Sequence, residues 1–247
     1  MEGPSIIILK EAVKSFKGKK VIRVSGNSKI DQVKLKNQKI IAFRSWGKHF
    51  IICFSSFSLK IHFLMFGSYR INESKDQTPR LSLEFANGVL NFYTCTISLL
   101  EEDLNEIYDW EVDVMSDKWN PQKAVTTLKK LKNTMICDLL LDQEIFAGAG
   151  NIIKNEVLYR VRLHPETKAG ALNNKQRKQL VTACRDYSFE FYKWKKLFEL
   201  KKHWLIYSKK KCPRCNLPVE VTHTGIGKRI SFFCTNCQLL PIKARPK

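Results

Sequence analysis

Long apolar runs are missing from this chain. Its N-terminal part offers nothing longer than Phe50–Phe54, whereas a membrane-spanning helix needs about 20 apolar residues. A targeting signature is missing too. Met1-Glu2-Gly3-Pro4 carries no basic segment, and Ile6-Ile7-Ile8-Leu9 is too short for a signal core. The reading is therefore a soluble, intracellular protein, cytoplasmic and nucleoid-associated, with no membrane partner. Acidic charge is scarce: 23 Asp plus Glu stand against 43 Lys plus Arg, leaving +20. So large an excess repels itself within a fold but suits a polyanion, nucleic acid first. Repeats and low-complexity tracts are absent, and a 44% hydrophobic content excludes global disorder.

Cysteine is present, yet its placement argues against a disulfide framework. Cys53, Cys95, Cys137 and Cys184 are scattered through apolar segments, where a free thiol behaves as a small hydrophobe. The other four form two Cys-x2-Cys pairs, Cys212/Cys215 and Cys234/Cys237, with 18 residues between them. Each pair supplies two thiolates on a tight turn, and two pairs complete a tetrahedron. One structural zinc ion in a reducing compartment is expected, with no open position for catalysis. Pro218–Thr224 and Arg229–Phe233 can form the intervening hairpin, placing Lys228-Arg229 near its tip. Spacing alone leaves Arg229 open between a phosphate contact and a solvated turn charge.

The chain reads as α+β. Residues 1–115 are mainly strands: Lys39–Phe54, Leu59–Ile71 and Arg80–Leu100 are rich in Ile, Phe, Leu and Tyr with partial alternation. Asn87-Gly88 between two such runs predicts a type I′ hairpin, so an antiparallel β-sandwich or barrel is expected. An early helix is expected over Lys10–Lys19. Residues 116–208 read as helical. Asn120-Pro121 is a cap followed by Pro at the first helical position. Met135–Leu141 and Ile152–Tyr159 form two short helices around the loop Asp142–Gly150, and Asn174–Lys202 is long, basic and amphipathic. Residues 209–247 form the metal ribbon. The glycines before Asn151 allow close backbone approach, and a helix start favours a phosphate. Sequence alone makes Asn151 an ordinary N-cap.

Several segments, in order along the chain, resemble the formamidopyrimidine-DNA glycosylase / endonuclease VIII family. Leu140–Ile152 is similar to its helix-two-turn-helix motif, and Gly227–Cys234 to its zinc-finger hairpin. Glu2-Gly3-Pro4 is similar to its N-terminal signature without the leading Pro. Ser45–Lys48 and His62–Gly67 match as well. The resemblance implies an N-terminal β-sandwich, a helical domain with the ribbon, and a DNA cleft between them. It implies binding of damaged double-stranded DNA, base excision and strand cleavage; a monomer is expected. By the same resemblance Glu2 is the acid that helps open the sugar, and Lys48, Asn151 and Arg229 grip phosphates. Met65 fills the gap left by a flipped nucleotide, offsetting the few kcal/mol that flipping costs.

Two departures bear on the chemistry. No Pro lies between Met1 and Glu2, so the α-amine of Met1 stands where the family places its Pro nucleophile. Ser5 stands where many relatives carry a second acid. Reduced lyase activity is expected, and the competing reading is a lesion- or abasic-site binder that lacks the nucleophile. A generic zinc-ribbon RNA binder leaves Glu2, Lys48 and Asn151 unexplained together. Tyr93–Leu99 lacks the Arg and Phe of the purine-specific branch, and seven residues separate Trp204 from Cys212. Both features resemble the branch that removes oxidised pyrimidines.

Overall fold

The computed structural model describes residues 1–241. The chain forms two compact units, one running Met1–Asp109 and a second beginning at Trp110. The first opens with helix α1 (Gly3–Ala12), whose first turn carries Pro4. The helix therefore starts well before the expected Lys10, and the segment beyond it is a short 3-10 turn at Lys14–Phe16 that ends before Gly18 (φ +79°). The reason is the Ile6–Leu9 run: Ile6 and Leu9 are fully buried in the core.

Six strands follow: β1 (Arg23–Ser25), β2 (Ala42–Trp46), β3 (His49–Cys53), β4 (Ser58–Ile71), β5 (Leu81–Phe85) and β6 (Gly88–Leu100). The expected strand Lys39–Phe54 is thus a hairpin, β2–β3, that turns at Gly47-Lys48 with Gly47 at φ +51°. The strands pair antiparallel in the order β1-β5-β6-β4-β3-β2. β4 and β6 are long enough to serve both halves. Residues 58–62 of β4 pair with β3, while residues 88–92 of β6 pair with β5. Phe50, Ile52, Leu59 and Ile61 from one half share one core with Leu81, Leu83, Leu90 and Phe92 from the other, as in a sandwich. In β5 Leu81, Leu83 and Phe85 are buried and alternate with more exposed residues, the period-2 signature of a strand with one face in the core.

The turn at Asn87-Gly88 departs from the type I′ expectation. Phe85 pairs with Gly88, so the turn residues are Ala86 and Asn87, and neither has positive φ. The positive φ falls on Gly88 (+141°), where a Cβ would lie 1.9 Å from Asn72 Oδ1. Asn72 Oδ1 accepts the N–H of Val89 (2.9 Å), fixing the turn from outside.

The second unit holds α3 (Pro121–Lys130), α4 (Ile136–Leu139), α5 (Asn151–Arg160) and α6 (Asn174–Lys196), with a short α2 (Leu104–Ile107) lying earlier, in the first unit. Asn120 caps α3 as expected, its Oδ1 accepting from the N–H groups of Gln122 and Lys123. Asn173 and Gln176 form a reciprocal capping box on α6. The ribbon strands β7 (Glu220–Thr224) and β8 (Arg229–Phe233) pair antiparallel. The division falls after Asp109 because Tyr108 and Asp109 are bonded to His49 and Trp46, while Val114 and Ala147 are bridged within the helical unit. The ribbon packs with the helices. The fully buried carboxylate of Glu156 accepts N–H bonds from Leu205, Ile206 and Tyr207 at 2.9–3.0 Å.

Candidate nucleic-acid site

In the first unit, α1 packs on β2 and β3, the strands joined by the turn that carries Lys48. Glu2 occupies the N-cap of α1 with extended backbone, and its carbonyl accepts the N–H of Ser5 (2.9 Å). Two histidines lie under this corner. His49 and His62 are cross-strand partners with rings 5.4 Å apart, edge to face. His49 Nδ1 lies 3.1 Å from Tyr108 Oη, and Trp46 Nε1 donates to the carbonyl of Asp109 (2.8 Å). Burial pushes the His49 pKa down to about 4, with His62, Lys60 and Lys48 acting in the same direction. Burial also lowers His62, aided by Lys48, the N-terminal amine and Lys60. Burial and the surrounding positive charge thus hold both imidazoles below their ordinary range. Sequence reasoning assigned neither histidine a role. The signal available was position: His49 directly follows one matched segment and His62 opens another.

Met65 lies where β4 breaks register. Phe63 pairs with Cys95 and Ser68 with Tyr93, so residues 64–67 face Thr94 alone. Thr94 is left-handed (φ +49°). A Cβ on Gly67 would meet Phe63 Cβ and the Thr94 carbonyl at 2.7 Å, so glycine permits the fold-back. The bulge exposes Leu64 (44%), Met65 (73%) and Phe66 (81%). Leu64 and Phe66 were missed, because alternation along a strand sends such residues to opposite faces, and a bulge does not. Tyr93–Leu99 lies within β6.

In the second unit, the loop before α5 is held by Gln143. Its Nε2 donates to the carbonyls of Leu141 (2.7 Å) and Ala149 (3.2 Å), and its Oε1 accepts the N–H of Gly148 (3.1 Å). Gly148 has φ +99°. The N-cap is Gly150, not Asn151, which is the first helical residue. The ordinary-cap reading of Asn151 is corrected by this: glycine takes the non-helical position, freeing the Asn side chain. Its Oδ1 is buried with no hydrogen-bond partner.

Arg229 opens β8 and is exposed. The hairpin tip is tied to α4 and α5. Asp138 accepts the N–H groups of Ile226 (3.0 Å) and Gly227 (3.3 Å). Lys154 Nζ donates to the Ile230 carbonyl (3.1 Å) and to Ser231 Oγ (2.8 Å), and Asn155 Oδ1 accepts the N–H of Phe232 (2.8 Å). Asn151 is one turn before Asn155, and Arg229 is one residue before Ile230, so both flank this contact.

The four ribbon sulfurs lie within 4.8 Å of one another, with Cys215–Cys234 at 3.4 Å and Cys212–Cys237 at 3.8 Å. Tyr159 Oη lies 3.2 Å from Cys212 Sγ, a hydrogen bond of the kind that steadies a metal ligand. Four converging thiols fit a metal ion. The scattered cysteines Cys53, Cys95, Cys137 and Cys184 are buried and form no disulfide.

The chain thus joins an antiparallel β-unit to a helical unit with a loop-headed helix and a four-cysteine ribbon. Residues 7–96 match the formamidopyrimidine-DNA glycosylase N-terminal domain, and residues 111–187 match the formamidopyrimidine-DNA glycosylase H2TH domain. Endonuclease 8-like 3 of Xenopus laevis is 32% identical over 231 residues, covering 88% of this chain and 38% of that protein. Endonuclease 8-like 2 of Mus musculus is 32% identical over 197 residues, covering 73% and 57%. The chain spans about a third to three fifths of the curated relatives it matches. A viral DNA glycosylase superposes with a TM-score of 0.84 at 22% identity, over 97% of this chain and all of that one. The Lactococcus lactis formamidopyrimidine-DNA glycosylase, solved non-covalently bound to DNA containing an abasic site, gives 0.85 at 22%, over the same shares. The chain belongs to the formamidopyrimidine-DNA glycosylase / endonuclease VIII family. Among the described residues no helix is long and apolar enough to cross a membrane.

Proposed function

We propose that this protein is a DNA glycosylase and abasic-site lyase of base-excision repair, acting on oxidised pyrimidines in duplex DNA. The observation that carries the reading is the head of α1, where Glu2 takes the N-cap directly after Met1 and the helix packs on the two strands joined by the turn at Lys48. An unperturbed α-amine has a pKa of about 7.7–8.0, so a useful fraction is neutral near pH 7. The neutral amine of Met1 attacks C1′; the base leaves with the electron pair of the glycosidic bond and takes up the proton that the amine sheds. Glu2, in its acid form, then protonates the ring oxygen as the C1′–O4′ bond opens. The resulting Schiff base acidifies the C2′–H; that proton passes to water as the C3′–O bond breaks and the 3′ phosphate leaves, and hydrolysis of the Schiff base gives the sugar aldehyde and returns the amine. Lys48, Asn151 and Arg229 hold phosphates, and the sulfur cluster holds one structural zinc ion that keeps Arg229 in place. Met1 lacks the ring that positions a Pro nitrogen, and small misplacements are costly in rate, so activity is low.

The preference for oxidised pyrimidines rests on the absence of an Arg-bearing loop in residues 93–99 and on the short connection to the ribbon. The test is incubation with an abasic duplex in borohydride, followed by mass analysis of the trapped peptide. A trapped adduct on the residue before Glu2, and faster excision of thymine glycol than of 8-oxoguanine, support the reading. Tight binding with no nick and no adduct assigns the chain instead to lesion recognition without catalysis. The departure at the N-terminus is the observation that favours this second reading.

A further inference from the structure

Helix α6 ends in an unusual way. The N–H of Phe198 donates to the Lys195 carbonyl (3.1 Å), and the N–H of Glu199 donates to the Trp194 carbonyl (2.8 Å). This is the paired closure in which the residue after the helix turns left-handed, a place ordinarily filled by glycine. Here it is Phe198, with φ +58°. Among the described residues it is the one aromatic held at positive φ. Its ring gains nothing from the fold, since Phe198 is 97% exposed, and the preceding Leu197 is 65% exposed. A left-handed conformation disfavours any residue with a Cβ, and a bulky exposed aromatic there contributes no packing in return. A strained residue that stabilises nothing is a pointer to function.

The surroundings indicate the chemistry. Lys193, Lys195, Lys196, Lys201 and Lys202 flank the turn. The acid within it, Glu199, is held by Lys202 at 2.8 Å. The turn is braced on both sides: the rings of Trp194 and His203 stack 4.1 Å apart and nearly parallel (7°), and Leu200 is buried. An exposed aromatic face with lysines on both sides of it along the chain matches an unpaired base on a phosphate backbone. The base stacks while the lysines meet phosphates.

We propose that Phe198 is a stacking platform for an unpaired nucleic-acid base, a contact additional to the phosphate-gripping residues and separate from the plug on β4. The inference rests on the reading of this chain as DNA-binding for its ligand class, and on the turn geometry for its location. The test compares the full chain with Phe198→Gly and Phe198→Tyr on three probes. These are an oligo-dT single strand carrying one 5-iodouracil, an undamaged duplex, and anionic phosphatidylglycerol vesicles. Because glycine suits the left-handed position and no packing is lost, Phe198→Gly should melt no lower than the parent, and by up to about 4 °C higher. It should bind the single strand about 5- to 100-fold more weakly while duplex affinity moves less than twofold. Phe198→Tyr should keep full affinity, and photocrosslinking of the parent should map to the peptide containing residue 198. Equal single-strand affinity for parent and Phe198→Gly, or a crosslink elsewhere, overturns the proposal. Loss of vesicle binding in place of single-strand binding reassigns the turn to an anionic membrane surface and overturns it as well. Failure of the parent to cleave an abasic duplex bears on the catalytic reading alone, because the single-strand titration needs no turnover.

Discussion

The ammonium of Lys154 is fully buried and ends on Ser231 Oγ at 2.8 Å, fastening the second helix of the loop–helix motif to the returning strand of the ribbon. Ser231 is also shared with Thr224 across the hairpin (2.6 Å). A buried charge is poor value for stability, since desolvation offsets most of the attraction, but it fixes one geometry over others. What it fixes here is the strand start at Arg229 relative to the helix start at Asn151. Lys154→Met keeps the volume and removes the donors, while Asn155 Nδ2 still reaches the Ile230 carbonyl at 3.4 Å. The expected outcome is a melting temperature within about 4 °C of the parent, unchanged metal content, and DNA affinity lowered about fivefold, or roughly 1 kcal/mol. Arg229→Ala made on top of Lys154→Met should cost clearly less than it does alone. Full additivity in that double-mutant cycle would place Lys154 outside the grip.

Acid sensitivity should originate at His49. Its pKa in the folded chain is about 4, below the ordinary 6.5, because burial and the neighbouring positive groups penalise its charge. In the unfolded chain it protonates near 6.5. Its contribution to stability is therefore complete above pH 6.5 and is lost as pH falls from 6.5 toward 4. His62 shifts in the same direction and adds to this limb. Thermal melts between pH 7 and 4.5 should show the parent losing stability faster than His49→Gln, which has no charge to gain. Parallel curves for the two proteins would remove His49 as the cause.

The expected grip on DNA is electrostatic. If about five to eight phosphates are neutralised, log affinity should fall with log salt at a slope of about −4 to −7. Lys48→Ala and Arg229→Ala should each weaken binding to all sequences alike and flatten the slope by about one unit. A slope near zero in fluorescence-anisotropy titrations would leave the +20 charge without this role.

Much of the fold could be read from local signals that carry their own mechanism. Asn120-Pro121 started α3 as its chemistry demands, and the two cysteine pairs converged as their spacing requires. The β2–β3 hairpin, the early start of α1 and the turn at Gly88 were misjudged, because each depends on a tertiary partner. Ile6 and Leu9 are helical because the sheet covers them, and Gly88 is left-handed because Asn72 reaches across from β4's end. The same limit hid parts of the site. His49 meets His62 only through strand register, Phe66 is exposed only through a bulge, and the freedom of the Asn151 side chain follows from Gly150 taking the cap.

Metal dependence should be structural. The cluster around the sulfurs is small: Tyr159, Ile206, Cys212 and Cys234 are buried in it, with Val219 and Phe232 alongside. So small a cluster needs an ion to hold its turns. Elemental analysis should find one zinc per chain, and Cys234→Ser should lose the metal, loosen the hairpin in hydrogen exchange, and weaken DNA binding. Full affinity in a metal-free protein would contradict this.

The bulge of β4 should act on DNA and not on stability. Leu64, Met65 and Phe66 project from a fold-back that Gly67 alone permits, since a Cβ there would strike Phe63 and the Thr94 carbonyl. Three exposed apolar side chains in succession destabilise nothing when shortened, so Met65→Ala and Phe66→Ala should each change stability by less than about 0.5 kcal/mol. Their expected work is on DNA, where an apolar wedge fills the space left by an unstacked nucleotide and offsets part of an unstacking cost of a few kcal/mol. Each substitution should therefore weaken binding to an abasic duplex about 5- to 30-fold, while affinity for an undamaged duplex, where no gap exists, stays within twofold. Gly67→Ala should act differently: it forces the bulge to rearrange, lowering the melting temperature and abasic-site affinity together. If Met65→Ala and Phe66→Ala weaken both duplexes equally, the bulge is a general surface contact and not a plug.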